Sequence, residues 1–354
     1  MDALSPQPLS ILGIGCTTAI GSTGAEILAR VRAGIRPEPT DLDIPGRDGK
    51  CDVLRVSTGS ALDREFPRLR RSSAISLFGC EAALRAFQCV PAADPRRTAL
   101  IFAASNGAVI YTRKFFGDVV ATGNGSPILF PETVYNSPAS HIASLLGIDG
   151  EVITLVSDAT AATDALRTAS ELIGAGAAEN CLVVAAEEID WVTWEAYHRW
   201  GLVRSRGSGR GVILSEGAVA LMLGRPVSGL PTIARVHSGV TYHRKFPLDS
   251  ALDKVLRDLC GGHNPECVVT SASGARSDLA ESRALDLILP GATRLAPKLI
   301  GGEAFSVSAL IQSVVAAEAI RCSDAESVLV PVTGWNGHVG GLVLTAGTPR
   351  GYVD

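Results

Sequence analysis

The position in this chain best suited to a nucleophile is occupied by a threonine. Residues 152–156 (Val-Ile-Thr-Leu-Val) are a short apolar, β-branched run of the kind a buried strand needs. Ser157 and Asp158 follow, with side-chain oxygens able to accept from the orphan N–H groups that open a helix. From Ala159 onward, Ala162, Ala165, Leu166, Ala169, Leu172 and Ile173 recur at helical spacing, and Gly174 is a natural stop. Strand, sharp turn and helix therefore put Thr160 at a helix N-terminus, where the macrodipole favours negative charge. A cysteine in such a place becomes a reactive thiolate. A threonine hydroxyl is weak there unless a base lies beside it.

Other chemistries find less support. Gly13, Gly15 and Gly21 follow an apolar run into a helix, but miss the Gly-x-Gly-x-x-Gly spacing of a dinucleotide site. The eight cysteines, at 16, 51, 80, 89, 181, 260, 267 and 322, lack paired ligand spacing, so neither a metal site nor a disulfide framework is expected. Cys16 and Cys181 sit inside apolar runs, where cysteine behaves as a small hydrophobe. A formal charge of −4 offers no basic footprint for nucleic acid. With 46% hydrophobic residues and 37 glycines in 354, the composition suits a globular protein rich in tight turns. The first residues lack a basic stretch leading into a long apolar one, and no run is long enough to span a bilayer, so a reduced, cytoplasmic protein is expected.

The elements around Thr160 are read from the same patterns. Residues 10–16 and 98–104 are buried strands, with helices at 25–33 and 72–90, and residues 36–75 look like surface loop. A helix runs to Leu146, and residues 180–188 form a further strand whose Glu187 reads first as a hydrogen-bonded structural acid. Residues 211–223 form two strands meeting at Ser215-Glu216-Gly217. A second series begins with a strand at 231–236, then a helix at 251–259, a strand at 267–271, helices at 279–289 and 307–319, and two closing strands. There is no short-period repeat.

Ser157-Asp158-Ala159-Thr160-Ala161-Ala162 resembles the nucleophile segment of the β-ketoacyl-acyl carrier protein synthases, usually Ser-Thr-Ala-Cys-Ala-Ala. Further matches follow in family order. They are the Gly13-x-Gly15 turn, Phe130-Pro131 with Asn136, Glu187, the Glu216-Gly217-Ala218 strand pair, Lys298 with Gly302, and the glycine loop from Thr333. The resemblance implies an α/β protein with the thiolase-like five-layer αβαβα sandwich made of two similar halves, here residues 1–228 and 229–354.

It also implies where catalysis should sit. Thr160 stands on the acyl-accepting cysteine, Ser273 on the first catalytic histidine and Glu303 on the second, while Asp278, Glu281, Gly274 and Lys298 keep their family identities. With nucleophile, base and oxyanion donors all replaced, the expectation is a non-catalytic subunit of the chain-length-factor type. Such a subunit pairs as a heterodimer with an active ketosynthase through residues 152–156, working with an acyl carrier protein in fatty-acid or polyketide-type elongation. Trp335, at the family's gating phenylalanine, Phe305 and residues 130–138 would border the acyl tunnel. No cofactor or metal is implied. The alternative is a thiolase-fold acyl hydrolase or acyltransferase in which Thr160 is activated by His338 with Glu303.

Overall fold

The computed structural model describes residues 7–46, 51–56, 62–204 and 211–347. The first half contains β1 (Leu9–Thr18), α1 (Gly24–Ala33), β2 (Thr40–Leu42), β3 (Cys51–Leu54), α2 (Leu62–Glu65), α3 (Ala74–Gln88), β4 (Thr98–Ala104), α4 (Val109–Thr122), α5 (Ser137–Leu146), β5 (Val152–Val156), α6 (Ala161–Gly174), β6 (Asn180–Glu187), α7 (Trp191–Arg199), β7 (Leu214–Ser215) and β8 (Gly217–Gly224). The second contains β9 (Pro231–Thr241), α8 (Leu248–Cys260), β10 (Cys267–Val269), α9 (Asp278–Ile288), β11 (Thr293–Leu295), α10 (Pro297–Gly301), α11 (Ser306–Arg321), β12 (Ser327–Thr333) and β13 (His338–Ala346).

Ten strands hydrogen-bond in the order β11-β10-β12-β13-β9-β1-β8-β6-β4-β5. They form two sets of five with one plan. β1 is antiparallel to β8 and β8 to β6, and β6, β4 and β5 then run parallel. β9, β13, β12, β10 and β11 repeat those senses in that order. The sets join where Leu9 and Ser10 face Ile233 and Thr232, a contact short enough to let them diverge. Between them lie α6 and α11, packed on each other and on strands of both sets. α3 and α5 cover one outer face, and α8, with α9 against it, covers the other. The five layers of the expected sandwich are present.

The sequence explains the middle layer. α11 is buried at every position from Ser306 to Ile320, so it has no polar face to show, and its alanines, serines and valines let two sheets close on it. β4 is buried along its whole length and β6 from Cys181 onward, as parallel strands covered on both faces require. Pro331 in β12 has no N–H to offer, and the β10–β12 ladder is paired only at Cys267–Val328 and Val268–Leu329. The buried Gln312 of α11 fills the gap, its amide donating to the carbonyls of Val269 (3.0 Å) and Pro331 (2.8 Å).

Gly13 and Gly15 now have a structural reason. β1 passes so close under α3 that a Cβ at Gly15 would overlap the Ala82 carbonyl and the Ala86 nitrogen, and one at Gly13 the Ala86 carbonyl. Two readings change. Residues 36–75 are not simply loop: β2, β3 and β7 form a separate three-stranded sheet, and Cys51, Val53 and Leu54 are buried. Strands this short leave no alternation to read. α4 and α7 also went unread; α4 buries none of its residues, so its apolar side chains make no core-facing stripe.

Gly15→Ala is expected to destabilise the protein by at least about 1–3 kcal/mol through overpacking against α3. Gly117→Ala, in α4 where an added Cβ meets nothing, should instead stabilise by up to about 1 kcal/mol. Urea denaturation of the two variants compares them, and equal effects would count against this account of the β1–α3 approach.

Candidate functional site

The turn after β5 is fastened at both ends of one carboxylate. Oδ1 of Asp158 accepts from the backbone N–H of Thr160 and from its hydroxyl, both at 3.0 Å. This is the local Asx arrangement that a tight turn favours. Oδ2 accepts from the N–H of Asn336 at 3.1 Å, on the glycine loop of the other half. Gly334 of that loop lies against the same carboxylate, where any Cβ would overlap it. Thr160 is buried directly before the first residue of α6, and its carbonyl accepts from Thr163 Oγ1 at 2.7 Å. The hydroxyl sits at the helix N-terminus, as its position in the sequence indicated, but its proton is directed to Asp158.

His338 opens β13 opposite Thr241 and makes no hydrogen bond to Thr160 or Glu303. Its charge acts on Asp164 instead, whose carboxyl is pushed up to about 6 mainly by burial, with His338 opposing and Asp158 adding to the rise. A Thr160–His338–Glu303 relay is therefore not assembled.

Glu303 is spoken for. Its Oε2 pairs with Lys298 Nζ at 2.9 Å, each side chain only 2% exposed. Its Oε1 accepts from the Phe305 N–H (2.9 Å) and from Ser308 Oγ (2.6 Å). Its backbone bonds Ile213 and Ser215, extending β7. Removing either member of such a buried pair costs about 3–5 kcal/mol, because the other is left uncompensated. Phe305 itself takes φ 50°, ψ −116° before α11. For a residue with a Cβ that backbone costs of order 1–3 kcal/mol, so the surroundings must impose it.

Ser273 is buried on a loop held by the two acids that head α9. Asp278 Oδ2 accepts from the N–H groups of Ser273 (3.1 Å) and Gly274 (2.7 Å). Glu281 accepts from the Ser271 N–H (2.7 Å) and the Thr333 hydroxyl (3.2 Å), tying the end of β10 to that of β12. Burial pushes both acids up, Glu281 to about 7. A cavity of about 120 Å³ opens beside Ser273, bordered by Lys298, Arg36 and Arg204. Glu187, fully buried and pushed up by burial, accepts from the N–H groups of Ser105 and Asn106 and from Ser306 Oγ (2.6 Å). The structural reading of Glu187 fits that geometry.

Phe305 and Trp335 meet edge-on, ring centres 5.8 Å apart, and Tyr197 of α7 closes the group at 4.9 and 5.3 Å. The Tyr197 hydroxyl is pushed up to about 12 by burial and then by the charges of Glu187, Glu303 and Asp158. Tyr197 and the second role of Asp158 were not read from the sequence. Trp191, Trp194, Tyr197 and Trp200, spaced by threes, were the available signal for the helix. Among the described residues no cluster of His, Cys, Asp or Glu could hold a metal ion, and no helix is long and apolar enough to cross a membrane.

Glu281→Gln tests the electrostatics. The folded-state pKa of Glu281 lies above the ordinary 4.5. Its contribution is therefore fully present below pH 4.5 and is lost as pH rises to about 7, by at most about 3 kcal/mol. Denaturation at pH 4.5 and 7.5 should show the variant gaining on the wild type over that interval. An unchanged difference would show that Glu281 is already ionised throughout.

Residues 7–226 match the family described as β-ketoacyl synthase, N-terminal domain. No curated protein sequence matches significantly. Among solved structures, the ishigamide ketosynthase/chain length factor superposes with a TM-score of 0.79 at 20% identity, covering 96% of this chain and 99% of that one. The ketosynthase–chain length factor complex from Xenorhabdus doucetiae gives 0.80 at 15%, covering 96% and 98%. A β-ketoacyl synthase from Burkholderia phymatum gives 0.78 at 17%, covering 96% and 99%.

Proposed function

The chain belongs to the β-ketoacyl synthase family, and from that premise we propose that it is a non-catalytic, chain-length-factor-type subunit that pairs with an active ketosynthase. One observation carries the reading: Thr160 and Glu303, which replace two of the catalytic groups, are fully engaged in structural hydrogen bonds. Thr160 gives its hydroxyl proton to Asp158, and Glu303 neutralises Lys298. The third position, Ser273, offers a hydroxyl where a histidine would act. The family scaffold is kept around a site whose three replaced positions hold no histidine.

The surface supports partnership. Among the described residues, β5 ends the ten-stranded sheet with one side unpaired, and it carries Val152 at 43% and Val156 at 50% exposure. An apolar, uncharged edge of five residues is a template for strand pairing. The opposite edge, β11, is three residues long and holds Arg294 in an ion pair with Asp286. Exposed Phe116, Val120, Ile128, Phe130 and Tyr135 add apolar surface on α4 and the segment after it. Continuous exposed apolar surface marks an interaction site. The partner is an active ketosynthase, which takes acyl groups from an acyl carrier protein, and the growing chain runs toward the shared interface. All eight cysteines are free thiols, which suits the cytoplasm.

Thr154→Lys places a charge in the pairing strand and should dissociate the complex, which would otherwise bury roughly 2,000 Å² or more. Size-exclusion chromatography of the co-expressed pair and an elongation assay read the outcome. The variant should separate from the ketosynthase and abolish elongation, and Thr160→Cys should confer no activity of its own. Full elongation by the ketosynthase without this chain would refute the subunit reading.

A further inference from the structure

β1 runs through a glycine turn into α1 without the spacing of a dinucleotide site, yet a cavity of about 140 Å³ opens at that turn, beside Gly21 and the flank of α3. None of Thr160, Ser273 and Glu303 lines it. Its rim carries four charges in two pairs. On α1, Glu26 faces Arg30 at 3.4 Å, and on α3, Glu81 holds Arg85 at 2.6 Å. Each pair spans one helical turn and is partly open to solvent, so neither binds itself tightly. The backbone nonetheless fixes where these charges stand. Arg85 donates to the carbonyls of Cys16 (2.7 Å) and Ser22 (3.2 Å), and Glu26 accepts from the Ser22 N–H (3.0 Å). Gly21 leaves that carboxylate its place, since a Cβ there would come within 3.1 Å of it. Thr17 also borders the cavity; it is 4% exposed, and its hydroxyl has no hydrogen-bond partner among the described residues. A buried hydroxyl without a partner costs stability, so a polar group entering the cavity to meet it would be favoured.

We propose that this cavity binds a small zwitterion, an α-amino acid of the size of glycine, alanine or serine. Charge decides the class. A lone anion would be drawn to Arg30 and Arg85 but repelled by Glu26 and Glu81, and a lone cation the reverse. A molecule with an ammonium and a carboxylate on one carbon gives each pair of side chains its opposite. Size narrows the choice, because cavities of about 150 Å³ take a ligand of roughly six non-hydrogen atoms, the count in alanine. The Thr17 hydroxyl both donates and accepts, so it can serve either end. Holding the charges in place before binding lowers the ordering cost that so small a ligand must meet. Once bound, the amino acid joins β1, α1 and α3 and stabilises the fold by mass action. The site uses none of the degenerate positions and no partner subunit, so it stands or falls apart from the heterodimer reading.

The test is calorimetric titration of glycine, L-alanine and L-serine into the lone chain, with acetate and ethylammonium as single-charge controls. Saturable, equimolar binding of at least one amino acid is expected, with neither control bound. Thr17→Val removes only the hydroxyl and should weaken that binding about tenfold or more, while the unliganded variant melts no lower than the wild type. Arg30→Met keeps the length of a side chain whose ion pair is with Glu26. It should weaken binding as much, and it carries the comparison if Thr17→Val does not fold. Three results would overturn the proposal: no saturable binding of any of the three amino acids, binding of acetate or ethylammonium as tight as theirs, or unchanged affinity in either variant with native circular dichroism.

Discussion

A buried ammonium must have an anion beside it, and Lys298 imposes that condition near the centre of this molecule. Its side chain and that of Glu303 are almost wholly removed from water. An unpaired charge at that depth costs several kcal/mol even after relaxation. Glu303 answers the charge, and much else is fastened through it. One oxygen fixes the Phe305 N–H and Ser308 at the head of α11, the helix on which both sheets close. Its backbone joins β7 and so the small sheet of β2 and β3. Glu303 is thus a structural keystone.

Asp158, Asp278, Glu281 and Glu187 also serve as anchors. Each accepts from backbone N–H groups at a loop or strand end; Asp278 holds its own loop, while Asp158, Glu281 and Glu187 tie together segments far apart in sequence. An acceptor committed to two or three donors is a poor general base, because taking a proton means giving those bonds up. Interior and surface thus differ in kind. Inside, these carboxylates are satisfied by hydrogen bonds and aromatic rings are packed together. Outside, β5 and α4 leave apolar side chains and strand hydrogen-bonding groups without a partner. The first arrangement suits a framework and the second an interface.

How legible this was depended on period and burial. Thr98–Ala104 lies where its continuous apolar run placed it, because buried parallel strands leave a signal that needs no alternation. Val152–Val156 is also a strand, but at the sheet edge and half exposed rather than buried as its apolar run indicates. The helix after Thr160 was readable from its small-residue spacing, and it starts two residues later than the pattern because Ala159 and Thr160 belong to the Asx turn. α4 was illegible because none of its residues is fully buried and its apolar side chains make only partial contacts, such as Phe115 with Phe130. The small sheet was illegible because its strands are two to four residues long. At the site, Thr160, Ser273 and Glu303 could be singled out in sequence. The contacts that hold the site together could not, since Asp158 to Asn336 and Glu187 to Ser306 span more than a hundred residues.

The central claim is that the catalytic groups of the family have been replaced by structural ones. The most direct measurement is the intact mass of this chain after incubation with acyl-loaded carrier protein. The account predicts unmodified mass for the wild type and for Thr160→Ala alike. An acyl adduct on the wild type that disappears in Thr160→Ala would contradict it and establish the Thr160 hydroxyl as a working nucleophile.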